Sequence, residues 1–221
     1  PSYYPVTQEK IVQYKQKYGD ALKELPYKGK YKVNDNVVSP MVIHDISNNS
    51  DLFETVETFC PIMGILPTQE TELEDFCKAA TEYVNDKVWG NLSTTIFAST
   101  ETLSHHRDVI RKMVDDLKIG SIGVNIWGGI NVLFPHTHWG AYPGNTPEDI
   151  QSGIGHGCGN FFFYDNLKKA VLWAPFFHDF QMISGATPAR AKKEAARITE
   201  YNMTQSLWSI CKVASALYLG W

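Results

Sequence analysis

The sequence lacks an apolar run long enough to cross a bilayer: its apolar C-terminal stretch, residues 206–219, is too short and is interrupted by Lys212. It also lacks an excess of positive charge. The formal net charge is −4, so no basic field draws in nucleic acid, and none is expected as a partner. The one Lys/Arg-rich stretch, residues 190–197, reads as a solvated helix face rather than a phosphate site. Four cysteines, at 60, 77, 158 and 211, form no Cys-x-x-Cys pair and no dense secreted framework; reduced thiols in an intracellular, cytoplasmic setting are expected. A start methionine, signal peptide and transit segment are all missing, which leads to the expectation of a processed or truncated piece. No internal repeat or low-complexity tract is present. Nor is there a Gly-x-Gly-x-x-Gly turn between a strand and a helix, which excludes a self-contained dinucleotide-binding domain of that type within these residues.

What is there is globular in character. With 43% apolar and 20% charged residues over 221 positions, the chain can build one substantial core or two small lobes. Thr7–Tyr18 reads as a polar helix with Thr7 as N-cap and Gly19 at the left-handed stop, followed by a polar connection over 19–36. Residues 37–46 carry enough β-branched side chains for a strand, and Pro40 places it at an edge or a bulge. Further strands are expected at 59–66, 92–98, 121–127 and 160–164. Between them, Thr71 and Glu74 have capping-box spacing ahead of a helix whose apolar face holds Leu73, Phe76, Cys77, Ala80, Tyr83 and Val84. A second helix carries Val109, Ile110, Met113, Val114 and Leu117 on one stripe and ends at Gly120. Strands alternating with helices imply an α/β layer with a largely parallel sheet. Residues 127–159 are rich in glycine and proline with little period, the mark of a segment that lines or covers a pocket. Two helices follow, a charged one from Thr187 or Pro188 to Tyr201 and an apolar one over 206–219, which reads as a packing helix rather than a membrane-surface one.

The most informative string is Glu57-Thr58-Phe59-Cys60-Pro61. A carboxylate two residues from an aromatic ring can accept ribose hydroxyls while the ring stacks on a heterocycle; the plainer reading is a surface glutamate beside a core phenylalanine. The string resembles the Glu-x-Phe-Gly-Pro signature of the aldehyde dehydrogenase superfamily, with Cys60 in the glycine position. Asn85 through Leu92 resembles that family's Asn…Tyr-Gly-Leu helix end, and Gly120 through Asn125 its Gly-x-Val-x-Asn strand. Trp139-Gly140 followed by Gln151-Ser152-Gly153-Ile154-Gly155 is similar to its Pro-Phe-Gly-Gly…Ser-Gly-x-Gly segment. These four segments occur in register between residues 54 and 163, about half of the chain.

The resemblance implies an α/β fold: the C-terminal part of an aldehyde-dehydrogenase-like catalytic domain, a mostly parallel sheet with flanking helices, plus a helical C-terminal tail. On this division residues 1–50 are an N-terminal helix and connecting segment, 51–176 the catalytic-domain portion and 177–221 the tail. It further implies an NAD(P)-dependent oxidation of an aldehyde to a carboxylic acid, with NAD or NADP as cofactor in the complete protein. Glu57 would bind the nicotinamide ribose and Phe59 contact the ring. Trp127, Phe134 and Trp139, in a loop that also holds Leu133, His136 and His138, would form an apolar aldehyde entrance. The implied partners are an aldehyde substrate, a missing N-terminal cofactor domain or another subunit, and further copies in a homo-oligomer.

The departures bear on activity. The family's nucleophilic cysteine and general-base glutamate lie upstream of the Glu-x-Phe string, and no cysteine here precedes Cys60. Cys60 itself reads as a buried, inert thiol. No catalytic residue is therefore assigned, and the chain alone is expected to be inactive. The alternative is a non-catalytic dehydrogenase-like binding or assembly module. His136-x-His138 and His156-x-Cys158 offer four donors of the kind that bind zinc, but two widely separated pairs make a weak ligand set, and no metal is assigned. His105 and His106 read as solvated.

Overall fold

The structure is a computed structural model, and it describes residues 6–26, 38–134, 137–154, 156–158, 167–177 and 188–218. It divides into two compact units, Pro1–Trp173 and Ala174–Trp221.

The first unit opens with helix α1, Thr7–Tyr18, which buries Thr7, Ile11 and Tyr14. Its N-cap is Val6 rather than the expected Thr7, and no side chain caps it; Gly19, with φ of 50°, ends it as expected. Strands β1, Leu22–Glu24, and β2, Met41–Ile43, run antiparallel, and β2 pairs in parallel with β3, Ile62–Gly64. β2 is thus the central strand of its sheet, not an edge. The expectation from Pro40 fails because the proline sits one residue before the strand, where its missing N–H costs no ladder bond, and its carbonyl accepts from Leu25 N–H at 2.8 Å. Helix α2, Asp51–Thr55, precedes β3. Ile11, Tyr14, Met41, Ile43, Ile46, Leu52 and Ile62 form the core of this part.

A second sheet follows. Helix α3, Leu73–Lys87, leads to strand β4, Ser93–Ile96; helices α4, Thr100–His105, and α5, Arg107–Asp116, lead to strand β5, Ser121–Val124. Strand β8, Ala170–Trp173, completes a parallel sheet in the order β4–β5–β8. Strands β6, Trp139–Gly140, and β7, His156–Cys158, form a separate antiparallel pair. The architecture is α/β, with one small parallel sheet, one mixed sheet and one antiparallel pair together with helices. The strand expected over 160–164 lies outside the described residues.

Strand alternation explains the layering. Ile96, Ile122 and Val124 join Cys77, Ile110, Val114 and Leu117 in one core, so even-numbered positions of β4 and β5 face α3 and α5. The α5 stripe read from the sequence packs there. Phe76 of α3 does not; it is 39% exposed. The expected capping box is also absent: Glu72 is the N-cap of α3, without a side-chain bond. On the other face, a 3-10 helix over Gly128–Leu133 lies across the sheet. Ser121 Oγ donates to the Gly128 carbonyl at 2.6 Å and accepts from Asn131 Nδ2 at 2.6 Å. Only glycine fits at 128, because a Cβ there would stand 2.2 Å from the Thr94 carbonyl oxygen.

The second unit contains helices α6, Pro188–Thr204, and α7, Leu207–Tyr218, joined by a short turn at Gln205, where φ is 47°. No helix among the described residues is long and apolar enough to cross a membrane.

Candidate functional site

The Glu57–Pro61 string is a loop between α2 and β3, not the start of a strand. The Glu57 carbonyl accepts from Lys10 Nζ at 2.8 Å, the Thr58 hydroxyl lies 3.3 Å from Tyr14 OH, and the Pro61 carbonyl accepts from Met41 N–H at 2.8 Å. Held at these points, the loop places Phe59 in left-handed backbone, φ 43°, with the residue 46% exposed. For a residue with a Cβ this conformation costs about 1–2 kcal/mol, and it persists where the surroundings over-determine it. The Glu57 carboxylate is exposed. Cys60 is half-buried, and burial pushes its thiol pKa up, so it is not an activated nucleophile.

Glu54 links the two sheets. Its carbonyl accepts from Trp89 N–H at 2.6 Å, and its carboxylate accepts from Ser50 Oγ at 2.7 Å and Tyr83 OH at 2.8 Å. Those two hydroxyl bonds, Ser50 first, hold the Glu54 carboxyl below its ordinary value.

Beyond β5 the chain turns at Asn125, φ 59° and 3% exposed. Its side-chain oxygen accepts from Ala98 N–H and its nitrogen donates to Ala98 C=O, both at 2.8 Å, so one amide closes the loops after β4 and β5. Trp127 is 55% exposed and Phe134 42%, while Trp139 is half-buried in β6 opposite Cys158. His138, read as part of the entrance, is instead buried. His136 and the side chains of His156 and Cys158 lie outside the described residues; among those described, no three His, Cys, Asp or Glu side chains are placed to hold a metal ion.

Glu57 and Phe59 therefore sit in the loop before β3 of the first sheet, Trp127 and Phe134 follow β5 of the second, and Trp139 lies in the β6–β7 pair. On the β4–β5 side, the loops that precede these two strands are tied to the 140–152 segment by residues that carried no assigned role. Gly90 N–H donates to Gln151 Oε1 at 2.7 Å, and Asn91 N–H to Ser152 Oγ at 2.8 Å. Asn91 and Asn145 exchange side-chain amide bonds at 2.8 and 3.1 Å. The Asn91 carbonyl accepts from Gly120 N–H at 2.9 Å and Tyr142 N–H at 3.1 Å. Gly120 packs so closely on Gly140 that a Cβ would stand 1.9 Å from the Gly140 carbonyl oxygen. An open cleft of about 710 Å³ borders this knot, with Glu54, Trp89, Asn91, Lys118, Tyr142 and Gln151 among its walls. The amides at 91, 145 and 151 were missed as a group because each stands in a loop; Asn91 and Gln151 fall inside segments that resemble the family, whereas Asn145 is marked only by a stretch dense in Gly and Pro.

No family model and no curated protein matches this chain. The functional reading therefore rests on the residues and their geometry. A separate groove of about 590 Å³ runs between α3 and α5, past Cys77, Thr81 and Met113, and contains none of the assigned residues.

Proposed function

We propose that this chain is the C-terminal portion of a divergent aldehyde-dehydrogenase-type catalytic domain, acting on an aldehyde with NAD or NADP and assembling with a cofactor domain or another subunit. The observation that carries the reading is the knot just described. Gly90 and Asn91, Gly120, Gly140, and Gln151 and Ser152 come from three of the four segments that resemble the family, and they meet through hydrogen bonds and close backbone contact. Segments about 60 residues apart in sequence have no local reason to interlock in this way.

The first segment fits a nicotinamide nucleotide. An exposed carboxylate at Glu57 suits ribose hydroxyls, and the partly exposed Phe59 ring, set by its left-handed backbone, suits the flat face of a nicotinamide. When bound, such a cofactor accepts the hydride removed from the aldehyde. Glu57 binds and orients it, and Phe59 limits its tilt. Trp127 and Phe134 offer apolar surface to the substrate, with Trp139 behind them. The attacking thiolate is not supplied by Cys60, whose burial favours the neutral thiol. The same observation favours one alternative, a non-catalytic module that keeps the fold without the nucleophile.

The test is cofactor titration of the natural polypeptide that carries this sequence, comparing wild type with Glu57→Gln and Phe59→Ala. The reading predicts saturable NAD or NADP binding that weakens at least about tenfold in either variant. Wild-type binding unchanged by both substitutions contradicts the assigned roles.

A further inference from the structure

The parallel β4–β5–β8 sheet presents an aromatic side chain that its core does not use. Ile96 and Ala98 both belong to the core against α3 and α5, so strand alternation turns Phe97, between them, to the opposite face. The 3-10 helix Gly128–Leu133 lies on that face. Thr95, two residues earlier on the same face, accepts from Gly128 N–H at 3.1 Å through its hydroxyl. Phe97 is the next side chain along, about 7 Å nearer the C-terminal end of the sheet, which brings it beside Trp127. Its backbone is held on both sides. The Ile96 carbonyl accepts from Asn125 N–H at 2.8 Å, and the Asn125 amide binds both backbone groups of Ala98. Phe97 is nevertheless 76% exposed. The Trp127 indole is fixed as well, lying so close over Gly129 that a Cβ there would stand 2.3 Å from the ring.

We propose that Phe97 is a specificity-determining residue of the aldehyde entrance, forming with Trp127 an aromatic wall that selects aryl aldehydes over short aliphatic ones. The proposal rests on the dehydrogenase reading above and adds to it a residue outside the four segments that resemble the family. A single exposed apolar side chain is ordinary on a protein surface. Position separates Phe97 from that case. In open parallel sheets ligands bind outside the carboxyl ends of the strands, and Phe97 and Trp127 are the first aromatic residues beyond β4 and β5. Two rings on fixed backbone offer flat apolar surface, and an aryl group gains from both the area covered and the stacked or edge-on ring geometry. A substrate as small as acetaldehyde has no surface to place against either ring.

The experiment measures kcat/KM for benzaldehyde, hexanal and acetaldehyde at saturating nucleotide, using the natural polypeptide that carries this sequence, its Phe97→Ala variant and its Phe97→Leu variant. The expected wild type prefers benzaldehyde, and Phe97→Ala lowers the benzaldehyde-to-acetaldehyde ratio at least about tenfold, mainly through KM. Phe97→Leu keeps apolar surface without the ring, so it should retain hexanal better than benzaldehyde. Thermal unfolding checks both variants, and the leucine variant reads the ratio if the alanine variant fails to fold. An equal fall for all three aldehydes, the outcome if Phe97 packs against a neighbouring domain, overturns the proposal. So does a ratio that neither substitution moves while the wild type turns over aldehydes, and that result leaves the dehydrogenase reading standing. A folded wild type that oxidises no aldehyde with either nucleotide sinks the dehydrogenase reading itself, and this proposal with it.

Discussion

Asn125→Ala removes one buried side chain and tests why the loops beyond β4 and β5 stay closed. The Asn125 amide makes two 2.8 Å bonds to a single buried residue, Ala98, one to each backbone group. Alanine leaves both groups without those bonds, at about 1–3 kcal/mol each. It also inherits a φ of 59°, a left-handed position that costs a residue without a short polar side chain about 1–2 kcal/mol. Allowing for partial relaxation, the loss should be roughly 3–5 kcal/mol, a fall in Tm of about 10–15 °C for a unit of this size. Urea unfolding of the full chain, followed by circular dichroism, reads it directly. Asn125→Gly, which tolerates the turn but not the bonds, should lose less than alanine. Asn125→Asp keeps the acceptor for Ala98 N–H but sets a carboxylate oxygen against Ala98 C=O, and protonation gives it a donor, so its deficit should shrink at acid pH. A loss below about 1 kcal/mol for alanine would refute the reasoning, since neither the bonds nor the backbone could then matter as described.

Other positions give independent tests. Gly120→Ala drives a Cβ into the Gly140 carbonyl and should cost roughly 3 kcal/mol in the same unfolding assay. Ser152→Ala strips the acceptor from Asn91 N–H and should cost about 1 kcal/mol. Glu54 has a folded-state pKa below its ordinary 4.5, so its bonds to Ser50 and Tyr83 stabilise the fold above that pH, and the benefit disappears as pH falls through the lowered value. Glu54→Gln should therefore be less stable than wild type at neutral pH and converge with it in acid. Burial raises the thiol pKa of Cys60 and Cys77, whereas Cys211 is exposed; peptide mapping after brief alkylation at pH 8 should find Cys211 modified before either of them.

Much of the fold was readable where a long amphipathic pattern faces one core. The α5 stripe of Ile110, Val114 and their neighbours is such a case, and the bounds of α1 follow from its length and from Gly19. Strand ends were not readable, because single backbone conformations decide them. The strand expected over 121–127 stops at Val124 when Asn125 turns left-handed, and the one expected over 59–66 shrinks to Ile62–Gly64 because Phe59 does the same. Phe59 gave no warning of this, whereas Asn125 is one of the few residues besides glycine that adopt a left-handed conformation readily. The capping signals at Thr7 and Thr71 failed because neighbouring residues, Val6 and Glu72, took the cap position. Of the site, Glu57 and Phe59 were visible as a motif, but the amide knot of Asn91, Asn145 and Gln151 exists only through pairing between distant loops. The solvent-facing stripe of α7 was readable as a helix face and was expected to pack; its outward direction is visible only in the folded unit.

The central claim is tested most directly by aldehyde-dependent reduction of NAD or NADP, followed by the absorbance of the reduced nicotinamide, using the natural polypeptide that contains this sequence. The account predicts turnover of an apolar aldehyde that falls when Glu57 becomes glutamine. Absence of any aldehyde-dependent reduction with either nucleotide, in a folded polypeptide that includes a cofactor domain, would contradict it.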